Sequence, residues 1–292
     1  MTAQSTETTV VVSGAAVLLP GADTVRALAD GPAAGGTPVE PAELVGRKGL
    51  RYKDRATQLG YCLTAAALKD AGLLGVDGLT CEPSGVAVIV SSNFGNLDTV
   101  VRALDTIREE TVTATSPMDL PNASSNVIAS SAAIRYGLRG PNLMVCNGET
   151  SGLDAVHWAV TMIRAGRAER ALVIGVEPDN DVVRRLLGGA RAVDGGAAVV
   201  LESRKAAEER SATVRAVLGP YTRRGGPVRP ARGRRWELPE HLGRASGAHG
   251  VIQCAAAVGW FDSGEQGPVH AFAGTAADDA CADLLLMAPE PA

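Results

Sequence analysis

The side chains able to do chemistry are few in this 292-residue chain, and the most conspicuous one is a carboxylate. Glu149 follows Gly148 where a short apolar run ends, and a helix is predicted to begin at Ser151. The first turn of a helix carries free N–H groups and the positive end of the helix dipole, so it favours an anion. Glu149 is therefore either a carboxylate that caps the helix or a general base.

The cysteines and histidines are dispersed. Five cysteines and four histidines form no CxxC pair and no metal-ligand spacing, so neither a metal nor a cofactor is expected. Cys146 lies inside a predicted strand, where a buried thiol is favoured over a displaced nucleophile. His249 lies in a predicted helix and is favoured as a helix residue over a replacement catalyst.

The composition excludes several classes of function. The formal net charge is 28 − 32 = −4 and aromatic residues make up 3%, so a nucleic-acid-binding surface is not expected. The first residues are polar without a basic start, and no apolar run is long enough to cross a membrane. These features predict a cytoplasmic protein. Because the chain is rich in Ala and Gly, a dense core requires close packing of the backbone.

The hydrophobic pattern predicts strands that alternate with helices, which is typical of an α/β fold with a largely parallel sheet. The predicted strands are residues 8–17, 84–91, 142–146, 170–176, 196–202, 213–218, 268–275 and 282–286. The predicted helices are residues 22–30, 51–71, 97–109, 126–136, 151–165 and 247–258.

Several motifs resemble those of the β-ketoacyl-acyl-carrier-protein synthases, which have a thiolase-like fold. The motifs are residues 135–142 (RYGLRGPN), 148–153 (GETSGL), 171–177 (ALVIGVE), 242–253 (LGRASGAHGVIQ) and 272–286. The resemblance is strong up to about residue 202 and patchy afterwards. It implies an α/β, thiolase-like architecture layered α/β/α/β/α. Residues 8–205 would form the N-terminal half with the dimer interface, and residues 206–292 a shortened C-terminal half.

The departures from this family fall on its catalytic positions. Glu149 stands where the family has its nucleophilic cysteine, and Arg244 stands at the late histidine. The other family histidine lies in a region that is expected to be deleted between Pro220 and Trp236. Condensation needs a thiolate to hold the acyl group and imidazoles to assist decarboxylation, so no catalytic residue is assigned for that reaction. An ion pair between Arg244 and Glu149 that closes the old pocket is a further interpretation.

The resemblance also implies a dimer, with an acyl tunnel beside the segment that precedes the nucleophile. The small and polar residues of this segment are the predicted tunnel and interface residues: Asn122, Ala123, Ser124, Ser125, Asn126 and Ser130. Small side chains there would leave room for a long acyl chain, and they would equally permit close helix packing.

The chain is closest in kind to the chain-length-factor subunits of type II polyketide synthases. The leading prediction is a non-catalytic subunit that forms a heterodimer with an active ketosynthase and meets acyl carrier protein through that complex. One alternative is an enzyme that uses Glu149 for decarboxylation, cyclisation or acyl transfer on a carrier-bound chain. Another is a homodimer that binds acyl chains without a synthase.

An arginine-rich connector over residues 222–235 has two interpretations. It contains six arginines among Gly and Pro residues. Such a run is typical of a solvated loop, and it also fits a basic dock for an acidic partner such as an acyl carrier protein.

Overall fold

The computed structural model describes residues 8–117, 119–225 and 234–290. The strands in these ranges are β1 (Val10–Leu18), β2 (Leu74–Gly75), β3 (Gly78–Leu79), β4 (Val86–Ser91), β5 (Asn142–Val145), β6 (Arg170–Glu177), β7 (Gly195–Ser203), β8 (Ala216–Arg224), β9 (Val269–Ala273) and β10 (Cys281–Met287). The helices are α1 (Val25–Asp30), α2 (Pro41–Val45), α3 (Arg55–Asp70), α4 (Leu97–Glu109), α5 (Asp119–Asn122), α6 (Val127–Tyr136), α7 (Ser151–Arg164), α8 (Asp181–Leu186), α9 (Arg204–Glu209) and α10 (His249–Asp262).

Eight of these strands form one mixed sheet in the order β5-β4-β6-β7-β1-β8-β10-β9. Parallel pairing is confined to β5, β4 and β6, so the prediction of a largely parallel sheet was wrong for the remaining strands. The physical reason is that β6 and β7 are buried along almost their whole length. Burial on both faces gives a continuous apolar run whichever direction the strand takes.

The layers follow from which faces the helices cover. α3 and α6 pack on one face of β4, β6 and β7. α7 and α10 pack on the opposite face, and β9 and β10 cover the far side of these two helices. Within the sheet, β1 joins the five strands on one side (β5 to β1) to the three on the other (β8, β10 and β9). It pairs with β8 at Val11–Val217 and Val12–Ala216. This is the mixed α/β, thiolase-like fold that the resemblance implied.

α10 is the central helix of this arrangement. Eleven of its fourteen residues are buried, which is the pattern of a helix surrounded by protein on all sides. It approaches α7 closely where two glycines face each other. A Cβ on Gly250 would lie 2.6 Å from the backbone N of Leu153, and one on Gly152 would lie 2.8 Å from the N of Gly250. This crossing is the close backbone packing expected from the composition.

Several bounds differ from the predicted ones for local reasons. α3 begins at Arg55 rather than residue 51, because the Asp54 carboxylate accepts the Thr57 N–H and caps the helix. β8 continues to Arg224, into the predicted connector. Residues 226–233 of that connector lie outside the described part of the chain. The predicted boundary between two halves after residue 205 falls within α9 and stays a prediction.

Among the described residues, none of the helices has both the length and the apolar character that a membrane span requires.

Candidate functional site

Glu149 lies between the end of β5 and the start of α7, on the wall of a cavity of about 990 Å³. The Ser246 hydroxyl donates to Glu149 Oε1 at 3.5 Å, at the limit of a hydrogen bond. Partial burial raises the pKa of Glu149, the negative charge of Asp278 raises it further, and the Arg244 guanidinium opposes both effects. Glu149 therefore holds a proton more readily than an exposed glutamate.

Residues from four parts of the chain line this cavity. They are Glu149, Ala190, Arg191, Arg235, Glu237, Leu238, Glu240, His241, Gly243, Arg244, Ala245, Ser246, His249, Gln253, Phe272, Gly274, Thr275, Ala277 and Asp278. The volume is at the upper end of the range for small-molecule pockets. The residues that the structure describes form no Arg244–Glu149 ion pair within 4.0 Å, so the interpretation that such a pair closes the pocket was wrong.

The loop that carries Glu149 is fixed to the loop that carries Arg244 by Asn93. The Asn93 side-chain amide donates to the Gly148 carbonyl at 2.9 Å and to Ser246 Oγ at 2.8 Å. The Ser151 hydroxyl also bonds to the Gly148 carbonyl, at 2.7 Å. The backbone just before Glu149 is thus held from both sides, which fixes where its side chain leaves the loop.

A second set of contacts ties the first turn of α7 to β8 through Asp154. The hydroxyl groups of Thr150, at 2.8 Å, and of Tyr221 both donate to this carboxylate. Arg223 forms an ion pair with it at 3.4 Å. Burial and the adjacent Asp154 hold the pKa of Tyr221 well above its usual range, so its hydroxyl stays protonated and donates. Arg223 of the predicted connector is therefore an intramolecular partner.

Glu177 is a site residue that the sequence reasoning did not single out. It ends β6, its side chain is fully buried, and four donors converge on it. The N–H groups of Asn93 and Gly247 donate to Oε1 at 2.7 and 2.9 Å. The Ser92 hydroxyl and the Phe94 N–H donate to Oε2 at 2.8 and 3.0 Å. The only signal in the sequence was an acidic residue that directly follows a long apolar strand.

His249 and Cys146 were interpreted as structural residues. His249 starts α10, as expected, and Nε2 of its ring has no hydrogen-bond partner among the described residues. Burial lowers the pKa of His249 to about 4, so the ring is neutral near pH 7. Cys146 is exposed just after β5, so its predicted burial was wrong, because the strand ends at Val145. Desolvation and the Glu177 carboxylate raise the pKa of this thiol, which disfavours a thiolate.

The predicted tunnel residues lie on α5, on α6 and between them. Asn122 is buried and accepts from Lys53 Nζ at 2.8 Å, so its side chain helps to hold the fold. Ser124, Ser125 and Asn126 are exposed, and Ala123 and Ser130 are half-buried. Their tunnel role stays a prediction.

The family model "Beta-ketoacyl synthase, N-terminal domain" matches residues 42–186. The chain belongs to the β-ketoacyl synthase family. The 3-oxoacyl-[acyl-carrier-protein] synthase 2 of Vibrio harveyi is 32% identical over 136 residues, which cover 46% of this chain and 32% of that protein. The granaticin polyketide putative beta-ketoacyl synthase 1 of Streptomyces violaceoruber is 31% identical over 206 residues, 60% of this chain and 48% of the relative. The match thus spans about a third to a half of the length of these curated relatives.

Solved structures agree with the thiolase-like ketosynthase fold. The structure titled "The ishigamide ketosynthase/chain length factor" superposes with a TM-score of 0.78 at 18% identity, over 96% of this chain and 99% of the other. The AntDE:AntF structure, described as a type II PKS acyl-carrier protein in complex with its ketosynthase, gives a TM-score of 0.79 at 16% identity. It is matched over 97% of this chain and 100% of the other. At these identities the likeness establishes the fold alone.

The buried carboxylate predicts a pH dependence of stability. Burial raises the pKa of Glu177 from 4.5 to about 7, against the opposing effect of its four donors. The folded protein therefore keeps a proton that the unfolded chain loses between about pH 4.5 and 7, so stability falls as pH rises through this window. The expected loss is up to about 3 kcal/mol in the free energy of unfolding.

Urea unfolding of the wild type and of Glu177→Gln across pH 4 to 8 measures this effect. The difference in unfolding free energy between the two proteins should change over the window, since Gln cannot ionise. Parallel pH profiles for the two proteins would show that Glu177 does not titrate there.

Proposed function

We propose that this chain is a non-catalytic, chain-length-factor-like subunit that pairs with an active ketosynthase and shapes its acyl-chain tunnel. The observation that carries the proposal is the replacement of the nucleophile by Glu149 and of the late histidine by Arg244, while the loops around them keep a well-bonded frame. A carboxylate does not replace a thiolate as the acyl carrier, and an arginine stays charged and cannot act as a neutral base. The fold is therefore retained without the chemistry of condensation.

The free edge of β5 supports pairing with a second subunit. β5 is the first strand of the sheet and hydrogen-bonds to β4 on one side only. In this parallel pair the carbonyls of Pro141 and Val145 accept from β4. The backbone polar groups of successive strand residues point to opposite sides, so the N–H of Met144 points away from β4. An exposed edge of this kind is a ready template for another strand.

Exposed apolar side chains in the chain's central region add surface for a partner. Leu104 lies on α4, and Val112 lies just after this helix. Leu120 lies on α5, shortly before the predicted tunnel residues. Each is more than half exposed in the single chain. Contact with a partner subunit would remove this apolar surface from water.

The titles of two structural neighbours supply the partner classes. One names a ketosynthase/chain length factor, and the other names an acyl-carrier protein bound to its ketosynthase. By analogy, the partner here is a ketosynthase that carries the full catalytic set, and acyl carrier protein reaches the pair through it. The pathway class is type II polyketide biosynthesis.

A backbone substitution tests the interface. Met144→Pro removes the outward N–H of β5, which makes no hydrogen bond within the described part of the chain, so the monomer should still fold. We expect co-purification with a co-expressed ketosynthase from the same genome to be lost, whereas Met144→Ala should keep it. Size-exclusion chromatography and thermal melting check the two variants. Equal recovery of the complex with Met144→Pro would reject pairing through this edge, and a wild type that forms only homodimers would favour the acyl-binding homodimer.

Larger side chains at positions 123 and 124 test the tunnel role. Ala123→Phe or Ser124→Phe should shorten the product of the reconstituted pair, because a large ring would block an acyl chain beside this segment. Mass spectrometry of the products measures chain length, and Val76→Phe, on an exposed turn far along the chain, is the size-matched control. Products of unchanged length from a stable complex would reject the tunnel role.

The second candidate is an enzyme that uses Glu149 as a general acid or base. The observation in its favour is the raised pKa of Glu149 in an open cavity that also contains Arg244 and Ser246. Glu149→Gln keeps the shape and removes the ionisation. For the non-catalytic subunit, we expect product formation by the complex to stay within about twofold of the wild type. A loss of about a hundredfold or more with the complex intact would favour the enzyme.

A further inference from the structure

Lysine is rare in this chain, and its distribution is uneven. Of the 28 basic residues only four are lysines: Lys48, Lys53, Lys69 and Lys205. The first three line one pocket of about 670 Å³ on the α3 and α6 side of the sheet, together with Arg135. We call this the lysine pocket. Within the described part of the chain, no Asp or Glu contributes to its lining.

The cations of the lysine pocket form no close ion pair among the described residues. Lys205 forms an ion pair with Glu209 at 3.7 Å, whereas no ion pair within 4.0 Å involves Lys48, Lys53, Lys69 or Arg135 among the described residues. The chain as a whole is acidic, with a formal charge of −4. Lys48, Lys53 and Arg135 lie beside the same stretch of α6, because Lys53 donates to Ser131 and Arg135 donates to the Lys48 carbonyl. These like charges repel each other, and an anion bound beside them would relieve that repulsion.

The base of the lysine pocket is pre-organised. Lys53 Nζ donates to Asn122 Oδ1 at 2.8 Å and to Ser131 Oγ at 3.1 Å, and an ammonium group has a third proton to donate. Burial lowers the pKa of Lys53, and Asp54 opposes this shift. A bound anion would favour the charged form of this amine, which the partly buried position otherwise disfavours.

The guanidinium of Arg135 is equally fixed. It donates to the carbonyls of Lys48 and Val45, each at 2.8 Å. It also lies over the Tyr61 ring, 4.7 Å from the centroid. These contacts hold the cation at the wall without using an acidic partner.

The remaining walls are apolar. They come from Leu44 and Val45 of α2, Ile134 of α6 and Leu74 of β2, with the rings of Tyr61 and Tyr136. Ile134 is 81% exposed, so one side of the pocket offers hydrocarbon surface directly to solvent. A ligand with both an anionic group and a short hydrocarbon part would match this combination.

We propose that the lysine pocket binds an anionic small molecule, a carboxylate or a phosphate on a short aliphatic chain. The anion lies against Lys53 and beside Lys48, and the chain lies along Ile134 and Leu44 towards Lys69, which stands near the other end of α3. The site is on the opposite face of the central strands from the Glu149 cavity. The inference does not depend on pairing with a ketosynthase, because every residue involved belongs to this chain.

Isothermal titration of the full-length chain with octanoate, octyl phosphate, octanol and acetate tests the proposal. Octanoate or octyl phosphate should bind, and the stronger of the two identifies the source of the anion. Octanol and acetate should bind at least about tenfold more weakly, because each lacks one of the two recognised parts. Binding of the anionic probes should weaken as salt is raised.

The double variant Lys48→Gln/Lys69→Gln supplies the specific test. Both side chains are exposed, and no described hydrogen bond or ion pair uses them, so the fold should be unaffected. Affinity for the anionic probes should fall about fivefold, because Lys48 lies beside the anion and Lys69 acts on it only over a longer, screened distance. Lys205→Gln is the matched control and should bind as the wild type does.

Three results would overturn the proposal. They are equal binding of octanol and octanoate, unchanged affinity in the double variant, and binding only to phosphatidylserine vesicles with none to the free probes. The last result would mark the patch as a membrane-facing surface instead. A failure of any of these tests leaves the co-purification experiment unaffected, so the two proposals fail separately.

Discussion

The close approach of α7 to α10 is the constraint on which the candidate site depends. Gly152 and Gly250 let the two helix starts come within contact of each other's backbone. Glu149 and Arg244 lie in the loops that lead into these helix starts, so the crossing brings their loops together. A Cβ at either glycine would force the helices apart or shift one of them, because the neighbouring atoms are backbone. The geometry of the cavity is thus set by two residues that have no chemistry of their own.

Glu177 and Asn93 convert this approach into a fixed arrangement. Glu177 accepts from the loop after β4 and from Gly247, which lies directly before α10. Asn93 joins Gly148 to Ser246. Four donors around one buried carboxylate satisfy its lone pairs, and that compensation is what makes such a burial tolerable. The same frame would serve a catalytic cysteine or a carboxylate at position 149. The frame is therefore compatible with the proposed non-catalytic role.

The sequence predicted the long elements well, since their signals are local. α3 has a capping aspartate at Asp54, and α6 ends at Gly137, which adopts the left-handed conformation. The short helices α2, α5, α8 and α9 were missed, because four to six residues carry too little periodicity and depend on tertiary contacts. Strand direction was misjudged for a different reason, namely that burial on both faces hides it. Glu149 and Arg244 were singled out because they depart from the motifs on which the resemblance depends.

At both sites, the hydrogen bonds that the sequence did not predict join residues far apart along the chain. Glu177 meets its donors across 84 and 70 residues, and Lys53 meets Asn122 across 69. The Asn122 side chain supports Lys53, a contact that its predicted place beside an acyl tunnel did not indicate. Three of the four lysines of this arginine-rich chain line the lysine pocket. Glu149 and Arg244 therefore bear on one cavity only. The opposite face of the sheet has its own arrangement of charge, formed by residues that do not line the Glu149 cavity.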